Sequence, residues 1–266
     1  VYKRQLTGSE KLKLWHYHPD GLDESNKRAE IPPYNSPPEL HSFLKSQIMA
    51  QLDTTVIESE SEKHYFNAGC QRSLLQNLLQ DGELMNMYMK NYFNDVHSRY
   101  PFLQKSYVES LNEERIYLLC NQPGNTNEVE HDGLAIDKYI LLMVYATGAR
   151  LLLREKSCET ESKIYEGNHL IFYQNALLLN FSDVMDFKNI TSIQAMLLLV
   201  IYLLRLPNNN VIWHIICTAL RMCVHFGYHR RNISLLNENP LFYLVRSKTF
   251  WSAYSLERAI SNSFEL

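Results

Sequence analysis

Apolar residues recur every three and four positions along most of this chain and almost nowhere every two, which predicts helices and no sheet. Leu40, Phe43, Leu44, Ile48 and Leu52 place one helix over 39–52. Leu74, Leu75, Leu78 and Leu79 form a second stripe; Leu84, Met87, Tyr88, Tyr92, Phe93 and Val96 form a third that ends before Pro101. Residues 113–120 suit a short helix, and Gln122 to Asp132, with Pro123 and Gly124, reads as a loop. From Leu134 to Leu153 the chain is apolar almost all round, the mark of a buried helix. Further helices are expected over 162–180 and from Thr191 or Ser192, as cap, to about Arg205. Another covers Val211 to Phe226, closed by Gly227, and the last begins at Pro240.

The expected fold is therefore all-α: an irregular bundle of packed antiparallel helical hairpins in a single large domain. Four prolines at positions 32, 33, 37 and 38 hold their surroundings out of the helical region. Residues 1–38 read as a linker or variable segment and 39–266 as the domain. Composition agrees: 39 Leu against 9 Gly favours helix over tight turns.

Charge narrows the function classes. With 26 Lys+Arg and 29 Asp+Glu the formal net charge is −3, no footprint for gripping nucleic acid. The chain is 45% hydrophobic, too apolar to be mostly disordered. No apolar run reaches the roughly 18 residues of a membrane helix, so no membrane partner is expected. The first residue is Val1 and no signal-peptide pattern follows, so the chain reads as a segment of a longer intracellular protein.

Signatures of catalysis are missing: there is no phosphate-cradling Gly loop, no Gly-x-Ser-x-Gly elbow and no His-Glu-x-x-His helix. Solvated faces account for the acid pairs Glu58/Glu60 and Glu113/Glu114, so no catalytic residue and no enzyme activity are assigned. Cys217, Cys223, His225 and His229 are the richest metal-like cluster. Six helical residues turn the two thiols about 120° apart, which opposes convergence on one tetrahedral zinc. Packed thiols beside capping histidines are expected, with no metal or cofactor in this chain. The Asn180, Asn189 and Asn232 sequons read as chance matches. Arg150, Arg221 and Arg258 lie in strongly apolar helices, so each is expected to be paired, with Asp137, Glu166 and Glu257 as candidates.

Three stretches together resemble one family. Tyr92, Phe93, Val96, His97, Tyr100, Pro101, Phe102 and Leu103 match the Tyr-Phe-x-x-Val-His-x-x-Tyr-Pro-Phe-Leu opening of the fungal-specific transcription factor regulatory domain, or middle homology region. Ala219, Arg221, Met222, Gly227, His229 and Arg230 are similar to its Ala-x-Arg-Met-Ala-x-x-x-Gly-Leu-His-Arg segment. Phe250, Trp251, Tyr254 and Arg258 resemble its Phe-Trp-x-x-Tyr-x-x-Asp-Arg block, with Glu257 in place of Asp. Gly148 and Arg150, in Ala146 to Leu151, and the run Ser192 to Leu204 match the helices between. The resemblance covers about 84–266, and the family would continue past Leu266, so a domain shortened at its C-terminal side is expected.

The resemblance implies a nuclear zinc-cluster transcription factor. In that family DNA is bound only through a six-cysteine binuclear zinc module, often as a dimer. This chain has no Cys-x-x-Cys, so zinc and DNA contacts would belong to a module outside it. Its own role would be control through an effector, masking or dimer contacts, with a homodimer, co-regulators and a small molecule as candidate partners. A scaffold of a chromatin or kinetochore complex is the rival reading, and a hydrophobic-metabolite sensor a third. The motif residues carry structural expectations too. Val96 and Tyr100 to Leu103 should drive bulk into the core, His229 and Arg230 should reach free helix carbonyls, and Phe250, Trp251 and Tyr254 should share a face with Arg258.

Overall fold

The computed structural model describes residues 68–120, 128–155, 167–178, 189–206, 211–231 and 239–263, and Ser46. Every regular element among them is helical, so the fold is all-α. In order these are α1 (Ala68–Gln80), α2 (Gly82–Tyr92), a π-helical turn (Phe93–His97), α3 (Lys105–Glu113), α4 (Arg115–Cys120), α5 (Glu128–Glu155), α6 (Asn168–Leu178), α7 (Ile190–Leu203), α8 (Val211–His225) and α9 (Pro240–Ser263). The predicted linker, its proline connector and the 39–52 helix lie outside the described residues, apart from Ser46, which is helical.

The interior is organised by α5 and α7. From Ala135 to Leu152, α5 buries nearly every side chain except Lys138 and Arg150, with α2, α6 and α7 packed around it. In α7 every residue from Ser192 to Leu203 is buried. Both helices lack a polar stripe because neighbours cover them on all sides. A buried Leu or Ile contributes roughly 1.5–3 kcal/mol, so this pair supplies much of the drive to fold.

Two glycines have backbone reasons to be glycine. At Gly148 a Cβ would fall 2.0 Å from the Tyr88 carbonyl oxygen, so α5 touches the α2 backbone directly. At Gly227 φ is +68°, left-handed backbone that favours a residue without Cβ. There the Tyr228 amide donates to Cys223 O at 2.8 Å, which closes α8 as expected.

Several boundaries differ from expectation. The loop read over Gln122 to Asp132 is already helical from Glu128. Its first turn is polar, so the apolar period misses it. The α7 cap is neither Thr191 nor Ser192: Asn189 holds that position without a side-chain bond, and Ser192 is buried. Arg115–Cys120 starts two residues later than the helix read there, Asn168–Leu178 is the described part of the helix read over 162–180, and the third run leaves α-geometry at Phe93. Pro240 opens α9 as expected, with Asn239 Oδ1 accepting from the Phe242 amide at 3.0 Å.

Candidate functional site

The first motif is built into the core. Tyr92, Phe93, Val96, Phe102 and Leu103 are buried, while Tyr100 and Pro101 are half-buried. The π-helical turn adds one residue per turn and turns Asp95 outward while Phe93 and Val96 stay inward. Two residues in and just after α7, distant in sequence, then fasten the motif. Gln194 of α7 donates to the Phe102 carbonyl at 2.7 Å, and Arg205 reaches Asp95 Oδ2 at 3.3 Å. His97 packs edge-on to Phe93 at 5.0 Å; burial and the charges of Lys248 and Lys105 lower its pKa.

Arg205 also donates to Ile201 O at 2.5 Å, and Arg150 to Arg205 O at 3.5 Å. Both arginines thus cap the C-terminal turn of α7, where carbonyls are left over and a positive charge is favourable. Of the acids named as candidates for Arg150, one is engaged elsewhere and one is not described. Asp137 accepts a bond from the buried Tyr107 hydroxyl, and Glu166 lies outside the described residues. A groove of about 430 Å³ opens beside these arginines, lined by Leu151, Leu153 and Leu204.

The second and third motifs come together on an α8–α9 hairpin. The chains run antiparallel: Arg246 of α9 donates to Gly227 O at 2.7 Å, and Glu257 near the other end acts on Cys217 of α8. Arg246 also lies over the Tyr228 ring, 5.1 Å from its centroid. It takes the carbonyl role expected of His229 and Arg230. Those two are exposed; the Arg230 Nε sits 3.3 Å from His229 Nε2, and the His229 ring packs at 5.9 Å on Phe250.

Arg221 is exposed rather than held near the core. It lies four residues from Cys217 on the outward side of α8, and the apolar letters around it are those of the buried side. Arg258 does pair with Glu257, through two bonds of 2.5 Å. Glu257 is buried, and Ser261 Oγ donates to it at 3.1 Å, so its charge is satisfied.

The third-motif aromatics form the predicted shared face, and that face points outward. Trp251 is 57% and Tyr254 42% exposed. Phe250 and Trp251 meet at 5.1 Å, Trp251 and Tyr254 at 5.8 Å, and the Arg258 guanidinium lies 5.9 Å from the Tyr254 centroid. Leu241 and Leu244 extend the face along α9, and Val224 adds to the exposed apolar surface from α8. These three were not singled out from the sequence. Leu241, Leu244, Lys248, Trp251, Ser255 and Arg258 recur at helical spacing, and that stripe is the signal that could have found them.

The donors here do not suit zinc. Among the described residues no group of three His, Cys, Asp or Glu could hold a metal ion. Cys223 is buried and its thiol is pushed up to about 12 by burial, away from the thiolate that binds metal. Among the described residues no helix is long and apolar enough to cross a membrane.

Comparison with known proteins gives the geometry a context. Protein STB5 of Saccharomyces cerevisiae is 24% identical over 231 residues, covering 80% of this chain and 28% of that protein. The negative regulator of pleiotropic drug resistance STB5 of Candida glabrata is 26% identical over 188 residues, or 68% of this chain and 18% of that protein. Pyrimidine pathway regulatory protein 1 of S. cerevisiae is 32% identical over 89 residues, or 34% of this chain and 9% of that protein. The chain therefore spans less than a third of the length of each. No solved structure matches it significantly. The model of the fungal specific transcription factor domain matches residues 89–266, and on that match the chain belongs to the fungal specific transcription factor domain family.

Proposed function

We propose that this chain is the regulatory portion of a nuclear zinc-cluster transcription factor. It would act without catalysis, and a binuclear zinc module outside the chain would make the DNA contacts. The observation that carries the reading is the family match over 89–266 on an all-helical fold. The division of labour fits the donor chemistry of the described residues, where no group of three His, Cys, Asp or Glu could hold a metal ion. Regulation needs two states that a ligand or partner distinguishes; each tenfold in relative affinity is about 1.4 kcal/mol. The leucine-lined groove beside Arg150 and Arg205 is where a small-molecule effector would be sought.

The test is a transfer experiment. Fused to a foreign DNA-binding module in a fungal reporter strain, the chain should make transcription respond to a condition or partner to which the module alone is blind. Tight, sequence-specific DNA binding by the purified chain at physiological salt would overturn the division of labour.

A further inference from the structure

The exposed stripe of α9 has a chemistry that selects its partner. From Leu241 to Arg258 it spans about 26 Å of helix at 1.5 Å per residue. Its apolar members, Leu241, Leu244, Trp251 and Tyr254, are each between 42% and 57% exposed. Exposed aromatic and leucine side chains rimmed by charge mark an interaction surface. The rim is one-signed. Among the described residues of the hairpin the exposed charged side chains are Arg221, Arg230, Arg231, Lys248 and Arg258, all basic, while the acid Glu257 is buried and already paired with Arg258. By contrast, residues 68–120 hold five basic and six acidic side chains.

The sign excludes the simplest occupant. A second copy of this chain docked through the same face would set the exposed cations of one hairpin, Arg221 and Lys248 among them, against those of the other, and facing like charges disfavour association. A partner must therefore supply carboxylates to the cations as well as apolar side chains to the Trp251–Tyr254 platform. We propose that the α8–α9 hairpin is a docking site for an acidic amphipathic helix of a protein partner. The apolar stripe of such a helix lies on Leu244, Trp251 and Tyr254, and its flanking Glu or Asp residues meet Lys248 and Arg221. About 17 residues of helix match the length of the stripe. The proposal rests on the regulatory reading and names the partner class for it. Binding by the purified chain is read without DNA or a reporter, so the two readings fail separately.

The experiment uses the full 266-residue chain. Labelled peptides of about 18 residues are titrated by fluorescence anisotropy: one with Leu and Phe on one helical face and Glu on the flanks, one with Lys replacing Glu, and one acidic but scrambled. The acidic amphipathic peptide should bind best and weaken as salt is raised to about 0.5 M. The Trp251→Ser, Tyr254→Ser variant should lose roughly tenfold or more in affinity. The Lys248→Glu, Arg221→Glu variant should lose the acidic peptide and gain the Lys peptide. Both variants alter exposed residues, and circular dichroism confirms that helix content is kept. Equal binding of the Lys or the scrambled peptide would overturn the proposal, as would no transfer of preference on charge reversal. Stronger binding of an oligothymidine strand, or concentration-dependent dimerisation abolished by Trp251→Ser, would overturn it in favour of nucleic acid or self-association.

Discussion

Two aromatic motifs in this chain have nearly the same composition and opposite fates. In the first, Tyr92 is 0% and Phe102 1% exposed; in the third, Trp251 is 57% and Tyr254 42% exposed. The difference lies in what surrounds the helix that carries them. The first motif leaves α2 through a π-helical turn and is held from behind by Gln194 and Arg205, both in or just after the buried α7. The third rides on α9, whose inward side is taken by Ala253, Leu256 and Ile260, so its aromatics are left outside. Aromatic content alone is therefore no guide to core membership; the phase of the helix is.

Truncation is the sharpest way to break the comparison. Phe102→Ala should cost about 3–5 kcal/mol, whereas Trp251→Ala should stay within roughly 1 kcal/mol. Urea unfolding followed by circular dichroism measures both. Equal losses would mean that the exposed motif is as much part of the core as the buried one.

Acid should act on the buried side of the comparison. His169 is 4% exposed beside the Tyr202 hydroxyl at 2.8 Å, and burial, with Arg150 nearby, lowers its pKa to about 3. The folded chain thus keeps this imidazole neutral, while the unfolded chain protonates it below about 6.5. The unfolded state then binds more protons, so stability is lost as pH falls from about 6.5 towards 3. The slope from this group is about 1.4 kcal/mol per pH unit. His169→Gln should flatten that part of the stability–pH curve.

A smaller effect of opposite sign is expected at Tyr92. Its hydroxyl is buried with no hydrogen-bond partner among the described residues. Tyr92→Phe removes an unsatisfied polar group while keeping the ring, and should be neutral or stabilise by about 1 kcal/mol. A loss of comparable size would show that the hydroxyl has a partner on folding.

Much of this was legible in the residues. The apolar periods located α1, α2, α5, α8 and α9, and Gly227 and Pro240 marked their ends, because local backbone preference and tertiary packing agree there. The second and third motifs lie largely on α8 and α9, and the first leaves its helix before Tyr100. What stayed hidden was relational. Asp95 and Arg205 are 110 residues apart, and no local pattern announces their contact. Arg221 stands among apolar letters yet faces out, since an arginine beside a core stripe can point either way. Arg246 took the Gly227 carbonyl because α9 happens to run past that turn, which is a property of the hairpin and not of either motif.

The all-round burial of α7 has a consequence during synthesis. Twelve consecutive residues from Ser192 to Leu203 end up covered, but α8 and α9, which pack against them, are encoded downstream, as far as Ser263. At about 5–20 residues per second, translation leaves that stretch without these covers for several seconds. The chain's yield in a cell should depend on translation speed through Val211 to Ser263 as well as on the stability of the finished fold.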